Sequence, residues 1–138
     1  LLVEMEITRF KSHRIGCVVL GSQITELALA FENRRLLTEF FDMVQNRYRV
    51  PVGLMTSNLE LLSTRLNAWH LKADVIVTPF NLKGYGMNPS LDKVVDTART
   101  IQSRIVALNI NANGTIPDSE ALDYLDNNGV KTYVVSPF

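Results

Sequence analysis

Short β-branched runs alternate along the chain with longer segments whose apolar residues recur every three or four positions. Runs of the first kind predict strands over residues 14–20, 50–55, 73–78, 104–110 and 131–135. Several of these runs are almost continuously apolar, which is typical of strands that are buried on both faces of a parallel sheet. The first eight residues alternate apolar with polar side chains, so we expect a further, half-exposed edge strand there.

The segments between the strands predict amphipathic helices, with apolar stripes over residues 36–44, 59–69, 91–101 and 121–125. Residues 24–31 predict a separate helix that breaks near residues 32–33. Ser57 or Asn58 can cap the helix that starts at residue 59, because a short polar side chain accepts from a free N–H of the first turn. Gly129 is expected to end the last helix, since glycine tolerates the left-handed C′ position.

Strands that alternate with helices pair in parallel through right-handed crossovers, so the sequence predicts an α/β fold of repeated β/α units. A partial TIM-barrel-like sheet and an open flavodoxin-like three-layer sandwich both fit this pattern. Strand order separates them, because the open sheet has a topological switch point and a barrel segment runs in sequential order. With 138 residues and no linker-like stretch, residues 1–138 are expected to form a single α/β domain. Because the chain begins without Met, it is also interpreted as a fragment of a longer barrel.

Composition excludes several classes of function. Fourteen Lys and Arg residues balance fourteen Asp and Glu residues, so no net field attracts nucleic acid or an anionic membrane. No apolar stretch approaches the roughly twenty residues of a membrane span, and the amino terminus lacks the order of a signal peptide. The single cysteine, Cys17, excludes an intrachain disulfide and a multi-cysteine metal cage, which is typical of a reducing, cytoplasmic protein.

The predicted ligand site lies beyond the carboxyl ends of the strands, where strand-to-helix loops and helix N-termini converge in parallel α/β folds. The loops there are 21–23, 56–58, 78–90, 109–115 and 136–138. They hold many Asn, Ser, Thr and Gly residues and almost no acids, which suits a hydroxylated or anionic small molecule. The predicted substrate-binding residues are Ser22, Thr56, Ser57, Asn58, Asn81, Gly84, Asn109, Asn111, Asn113, Gly114 and Ser136.

Three asparagines alternate in the loop after the fourth predicted strand, at Asn109, Asn111 and Asn113. Each amide carries a donor and an acceptor, so together they could contact several groups of one substrate. In the alternative interpretation, Asn109 points into a strand layer while Asn111 and Asn113 shape the turn into Gly114. The sequence leaves both open.

The loop at residues 81–90 is long for a strand-to-helix connection, and such loops often cover or bind ligands. Its candidate catalytic residues are Lys83 and Tyr85. Lys83 suits a clamp for phosphate or carboxylate better than a Schiff base, which needs a buried or cation-flanked amine; a solvated loop lysine is the alternative. Tyr85, between Gly84 and Gly86, suits a lid or packing role. The loop lacks the third glycine of a dinucleotide fingerprint, and no cofactor is expected.

The two histidines do not indicate a metal site. His70 lies near a predicted helix C-terminus, at the end of the sheet away from the ligand loops. His13 has no carboxylate at ligand spacing nearby. We therefore expect no metal, and no nucleophile turn of a Ser-His-Asp triad is present.

The segments TPFNLKGYGMNPS (residues 78–90), VALNINANGT (106–115) and YVVS (133–136) resemble uncharacterised archaeal proteins with aldolase-type (β/α)8 barrels. The resemblance covers roughly the last two thirds of the chain. It implies that Asn113, Gly114 and Ser136 lie near a substrate phosphate, after the last two strands of the barrel. This chain departs from the family in offering fewer strands than a barrel of about 250 residues needs. It also lacks the strand-end lysine of a class I aldolase.

The first functional hypothesis is an aldolase-type barrel domain of unassigned reaction that binds a small phosphorylated or polyhydroxylated substrate. Under this hypothesis the protein is a lyase or an aldolase-like enzyme. Lys83 and the backbone of residues 111–114 would hold the anion. Acid and base residues would come from absent strands or another subunit, so a homo-oligomer is expected. The alternative is a non-catalytic flavodoxin-like domain for ligand binding or interaction. A scaffold that only oligomerises through its sheet edges is a third possibility.

Overall fold

The computed structural model describes residues 13–135 together with Ile7 and Phe10. The predicted edge strand over the first eight residues therefore lies, except for Ile7, outside the described residues, as does Ser136. The described elements, in chain order, are β1 (Val18–Leu20), α1 (Ser22–Ala30), α2 (Arg34–Asp42), a π-helical segment (Met43–Tyr48), β2 (Val52–Met55), α3 (Leu59–Trp69), β3 (Val75–Pro79), α4 (Leu91–Thr100), β4 (Arg104–Leu108), α5 (Asp118–Asn127) and β5 (Thr132–Tyr133).

The five strands form one entirely parallel sheet in the order β1-β2-β3-β4-β5. The α/β prediction is therefore confirmed. The described strands follow one another in sequential order without a topological switch point, which is the order of a barrel segment. Each strand is shorter than its predicted run, because backbone pairing covers only the part that has a partner strand in register.

The two faces of this sheet differ in what covers them. Right-handed crossovers between sequential parallel neighbours place the connecting helices on one face. On that face Leu20, Leu54, Ile76 and Ala107 join the helix stripes in a continuous core, and Phe80 packs beside Tyr124. Tyr124 is half-buried, and the other side chains of this group are almost completely buried.

The opposite face carries side chains that do not belong to that core. Paired residues of parallel neighbours point to the same side, so the register Val19–Gly53–Val75 and Met55–Val77–Val106 identifies them. We call this the helix-free face, because none of α1–α5 packs on it. Its apolar side chains are Val19, Met55, Val75, Val77, Val106 and Leu108, and the same register places Gly53, Pro79 and the exposed Arg104 on it. The described helical residue Ile7 lines one pocket with Val19 at the β1 edge of this face. Bulky branched residues of this kind fill the interior of (β/α)8 barrels.

The structure has helix boundaries at residues 32–33, 58 and 129, where the sequence predicts them. The chain turns between α1 and α2 at Glu32, whose φ is 52°, and Asn33 caps α2 by accepting from the N–H of Leu36. Asn58, rather than Ser57, caps α3, and Gly129 takes a φ of 73° after α5. The π-helical segment was not predicted, since it continues the stripe of α2 without any change in composition.

Candidate functional site

The loops after β1, β2, β3 and β4 gather at the carboxyl ends of the parallel strands, as predicted. We call this end of the sheet the carboxyl rim. Three contacts connect its loops across neighbouring strands: Glu26 to Thr56 and Ser57, the backbone N–H of Asn88 to the carbonyl of Ser57, and Lys83 to the carbonyl of Thr115. The rim is therefore one continuous surface that runs from α1 to the loop after β4.

Glu26 is an acidic residue of the rim that the sequence analysis missed. Its Oε1 accepts three hydrogen bonds, from Thr56 Oγ1 at 2.9 Å, Ser57 N at 2.7 Å and Ser57 Oγ at 3.1 Å. Glu26 lies inside α1 and not in a loop, so a search of the loops for acids could not find it. The available signal was a lone carboxylate in the helical run from Ile24 to Leu29, whose other residues are apolar except Thr25. The expectation that acid and base residues come from absent strands or another subunit stays a prediction.

The residues of the β2–α3 loop also stabilise their own turn. Thr56 is buried, and its hydroxyl accepts from the N–H of Asn58 while it donates to Glu26. The Oδ1 of Asn58 accepts from Leu61 N as the cap of α3. Ser57 is half-buried between these two residues. The predicted binding residues Thr56, Ser57 and Asn58 are thus brought together at the rim, with most of their polar atoms engaged in the protein.

The long loop after β3 is held closed by Asn81, which is 1% exposed. Its Oδ1 accepts from Tyr85 N at 2.9 Å and its Nδ2 donates to Tyr85 O at 2.8 Å. Gly84, with a φ of 70°, lies inside this closed turn, and a Cβ there would lie 3.0 Å from Leu91. Asn81 and Gly84 therefore shape the loop rather than present free groups to a ligand.

The two candidate catalytic residues, Lys83 and Tyr85, lie on the same loop but differ in their contacts. The exposed Lys83 donates from Nζ to the carbonyl oxygen of Thr115 at 3.0 Å, and so reaches the neighbouring loop after β4. The ring of Tyr85 is 53% exposed. An exposed ammonium at a junction of two loops can contact an anion, whereas Schiff-base chemistry needs a desolvated amine.

The asparagine-rich loop forms a tight left-handed turn. Ala112, Asn113 and Gly114 have consecutive positive φ values of 47°, 59° and 77°. The Oδ1 atoms of Asn109 and Asn111 accept from the N–H groups of Asn113 and Gly114, at 2.9 and 3.4 Å. The alternative interpretation in which Asn111 shapes the turn is thus realised, and Asn109 also shapes it instead of entering a strand layer.

This turn uses its own backbone donors. The N–H of Ala112 donates to Asn109 O, and the N–H of Thr115 donates to Asn111 O, in addition to the two bonds from Asn113 and Gly114. The N–H groups of Ala112, Asn113 and Gly114 are therefore already engaged within the turn, and the expectation that the backbone of residues 111–114 holds an anion stays a prediction. The side-chain Nδ2 groups of the asparagines are the donors that this turn can offer to a ligand.

The N-terminus of α1 is the other polar feature of the rim. Its cap, Gly21, makes no side-chain hydrogen bond, and the first turn, which includes Ser22, carries no acidic residue. By contrast, α5 also begins without a side-chain cap but has Asp118 and Glu120 in its first turn. Unpaired N–H groups give a helix N-terminus a partial positive charge, so the start of α1 is compatible with an anionic group.

The remaining titratable candidates lie away from the rim. Burial, and secondarily the charge of Asp74, raises the pKa of the Cys17 thiol, which keeps it protonated. His70 ends α3 in a left-handed conformation and is exposed. Among the described residues, no cluster of three or more His, Cys, Asp and Glu side chains is placed to hold a metal ion.

A cleft of about 400 Å³ opens at the opposite end of the sheet, between the C-terminal ends of α3 and α4. Leu71, Ala73 and Ser103 line it, and Lys72 is its single titratable side chain. Acid–base or nucleophilic chemistry needs at least two cooperating groups, so this cleft offers less chemistry than the rim.

Within the part of the chain that the structure describes, no helix has the length and apolarity needed to cross a membrane. Comparison of the chain with protein-family models, with characterised proteins and with solved structures finds no match.

Proposed function

We propose that this chain is a barrel-type domain that binds a small phosphorylated or polyhydroxylated compound at the carboxyl rim. The observation that carries the proposal is the continuity of that rim, in which contacts among Glu26, Ser57, Asn88, Lys83 and Thr115 connect α1 with the loops after β2, β3 and β4. Ligands of parallel α/β folds bind at this end of the sheet, because loops from different strands can contact one molecule there.

The chemistry of the rim favours hydroxyl and anionic groups. Lys83 supplies a positive charge, and the start of α1 near Ser22 adds the partial charge of a helix N-terminus. Asn111 and Asn113 supply amide donors. All three bonds to Glu26 go to Oε1, so its Oε2 is the oxygen that would accept from a ligand hydroxyl. A polyol with one anionic group matches this arrangement of donors and acceptors.

A second candidate function is binding without reaction. The side-chain oxygens of Asn58, Asn81 and Asn109 accept hydrogen bonds from backbone N–H groups. Many of the polar side chains of the rim therefore stabilise the conformations of the loops. A preorganised rim with few free reactive groups suits a ligand-sensing or interaction domain.

Self-association is a further part of the proposal. A parallel sheet whose outer strands expose backbone donors and acceptors can add a partner strand, unless its edges are covered. The described sheet has β1 and β5 as its outer strands. We infer that copies of the chain associate through these edges.

The ligand proposal is tested by titration calorimetry with a panel of sugar phosphates, the matching neutral sugars and inorganic phosphate. We expect at least one sugar phosphate to bind more tightly than its neutral sugar. Lys83→Ala should weaken that binding by about tenfold, which corresponds to the loss of one charge-assisted hydrogen bond, with little change in the unfolding midpoint. Lys93→Ala is the matched control, because Lys93 is an exposed lysine of α4 paired with Glu60. Equal affinity of wild type and Lys83→Ala would remove Lys83 from the site, and no binding by any member of the panel would refute the proposal.

A further inference from the structure

The first β/α unit carries an apolar stripe that is exposed to solvent. Ile24 and Leu27 of α1 and its C-cap residue Phe31 follow one another at intervals of three and four residues, and they are 39%, 57% and 77% exposed. We call these three residues the α1 stripe. The opposite flank of the same helix places Ala28 and Leu29 in the core. The outer flank of an amphipathic helix in a closed fold carries charged or polar residues. An apolar stripe on a flank that is exposed to solvent is therefore unusual.

The last unit of the array is also apolar on its surface. Tyr133, Val134 and Val135 are 41%, 49% and 59% exposed. The N–H of Val134 donates to Ala107 O, so this segment continues alongside β4 as the last strand of the described sheet. Arrays of repeated units normally end in units with a polar outer face. Here both ends of the described array present apolar side chains.

The helix-free face is the third surface, and it is apolar apart from Arg104. Val75, Val106 and Leu108 are half-buried on this face although no core cluster includes them. Parallel sheets occur almost only with both faces covered. A partner that covers both ends of the array would also turn this face inward.

The exposed area decides which partner fits. With roughly 100–200 Å² for a fully exposed large side chain, the exposed fractions of Val19, the α1 stripe and residues 133–135 amount to roughly 500 Å² for one junction between a first unit and a last unit. A stable interface needs about 1,000 Å² or more. A single junction therefore falls short, whereas two equal junctions reach this size. The chain has no net charge that would oppose such an assembly.

We propose that two copies of this chain close head to tail, with the α1 stripe and β1 of each copy packed against β5 and residues 134–135 of the other. The two-fold arrangement forms both junctions at once and turns the two helix-free faces inward. Pairing of β5 with β1 of the second copy continues the parallel order of the sheet. This inference rests on the self-association proposed above and names its surfaces, but it does not depend on a ligand.

Sedimentation equilibrium of the wild-type chain tests the mass. We expect twice the 15.5 kDa of one chain. Phe31→Glu and Val135→Glu should each weaken the dimer by roughly a hundredfold or more, because a charge is desolvated in each junction. Leu82→Glu is the matched control, since Leu82 is an exposed leucine at 39% in the loop after β3, away from both ends. Far-UV circular dichroism verifies that each variant is folded.

A mixture of the Phe31→Glu and Val135→Glu chains tests the head-to-tail arrangement. A mixed pair has one junction with both substitutions and one junction with neither, so the mixture should form more dimer than either variant alone. A monomeric wild type, a dimer that resists Phe31→Glu, or a mixture without recovery would each overturn the proposal. These masses are measured without ligand, so failure of the ligand proposal would leave them unchanged.

Discussion

Replacement of Glu26 by alanine removes the acceptor that connects α1 to the β2–α3 loop. Three donors lose their partner in this variant, namely Thr56 Oγ1, Ser57 N and Ser57 Oγ. The hydroxyl of Thr56 suffers most, because Thr56 is 1% exposed and water cannot easily replace the lost acceptor. Ser57 is half-buried and can recover part of its bonding from solvent.

The expected cost follows from these bonds. A hydrogen bond to a charged group contributes about 1.5–3 kcal/mol, and a buried donor without a partner costs about 1–3 kcal/mol. Bonds to a single oxygen are not additive, so we expect Glu26→Ala to lower the free energy of unfolding by about 2–3 kcal/mol in total. Glu26→Gln retains an amide oxygen at the same place but not its charge, so about half of this loss is expected.

Urea unfolding followed by circular dichroism measures both values. Glu39→Ala is the matched control, because Glu39 also accepts a hydrogen bond, from Arg35 at 2.7 Å, but is exposed. An exposed ion pair of this kind contributes about 0.3–0.5 kcal/mol. Hydrogen exchange at Ser57 should accelerate in Glu26→Ala. A loss no larger than that of Glu39→Ala, with unchanged exchange at Ser57, would refute the assignment of Glu26 as the connection between α1 and the β2–α3 loop.

Three further predictions concern other parts of the fold. Gly53→Ala should destabilise the protein by about 1–3 kcal/mol, because the new Cβ would lie 2.8 Å from Val19 Cγ2; Val19→Ala in the same chain should recover most of that loss in urea unfolding. Asn81→Ala should open the loop after β3, measured as faster limited proteolysis within residues 81–90, and an unchanged cleavage rate would contradict its closing role. Burial raises the pKa of the Cys17 thiol, so the thiol's contribution to the free energy of unfolding is full below about pH 9 and disappears as the pH rises through the raised pKa. Iodoacetamide should therefore modify Cys17 more slowly in the folded chain than in the urea-unfolded chain. Equal rates of modification would contradict this prediction.

The proposed dimer would enlarge the proposed ligand site at the carboxyl rim. The described rim runs from α1, next to the outer strand β1, to the loop after β4, which is the neighbour of the outer strand β5. A second copy at each end would extend the rim with the loops of its own strands. Residues of both copies would then contact one ligand, which is how a barrel assembles sites from several strands.

The sequence by itself determined the elements and their order. Periods of 3.6 and 2 residues report which side of a helix or strand is apolar, and capping residues such as Asn58 and Gly129 act through atoms within a few positions. These are local interactions, so they are readable without a partner. The gathering of the loops at one end also followed, because parallel direction is a consequence of alternating strands and helices.

Only the tertiary structure decided how the polar groups of the rim are used and which face of the sheet lacks helices. Glu26 meets Ser57 across 31 positions, and Lys83 meets Thr115 across 32, so no local pattern could place them together. An asparagine such as Asn109 carries the same donor and acceptor whether it contacts a ligand or a backbone N–H, and the choice depends on the turn around it. Strand register and crossover hand, which are properties of the whole sheet, finally determine which apolar residues form the core and which remain on the helix-free face.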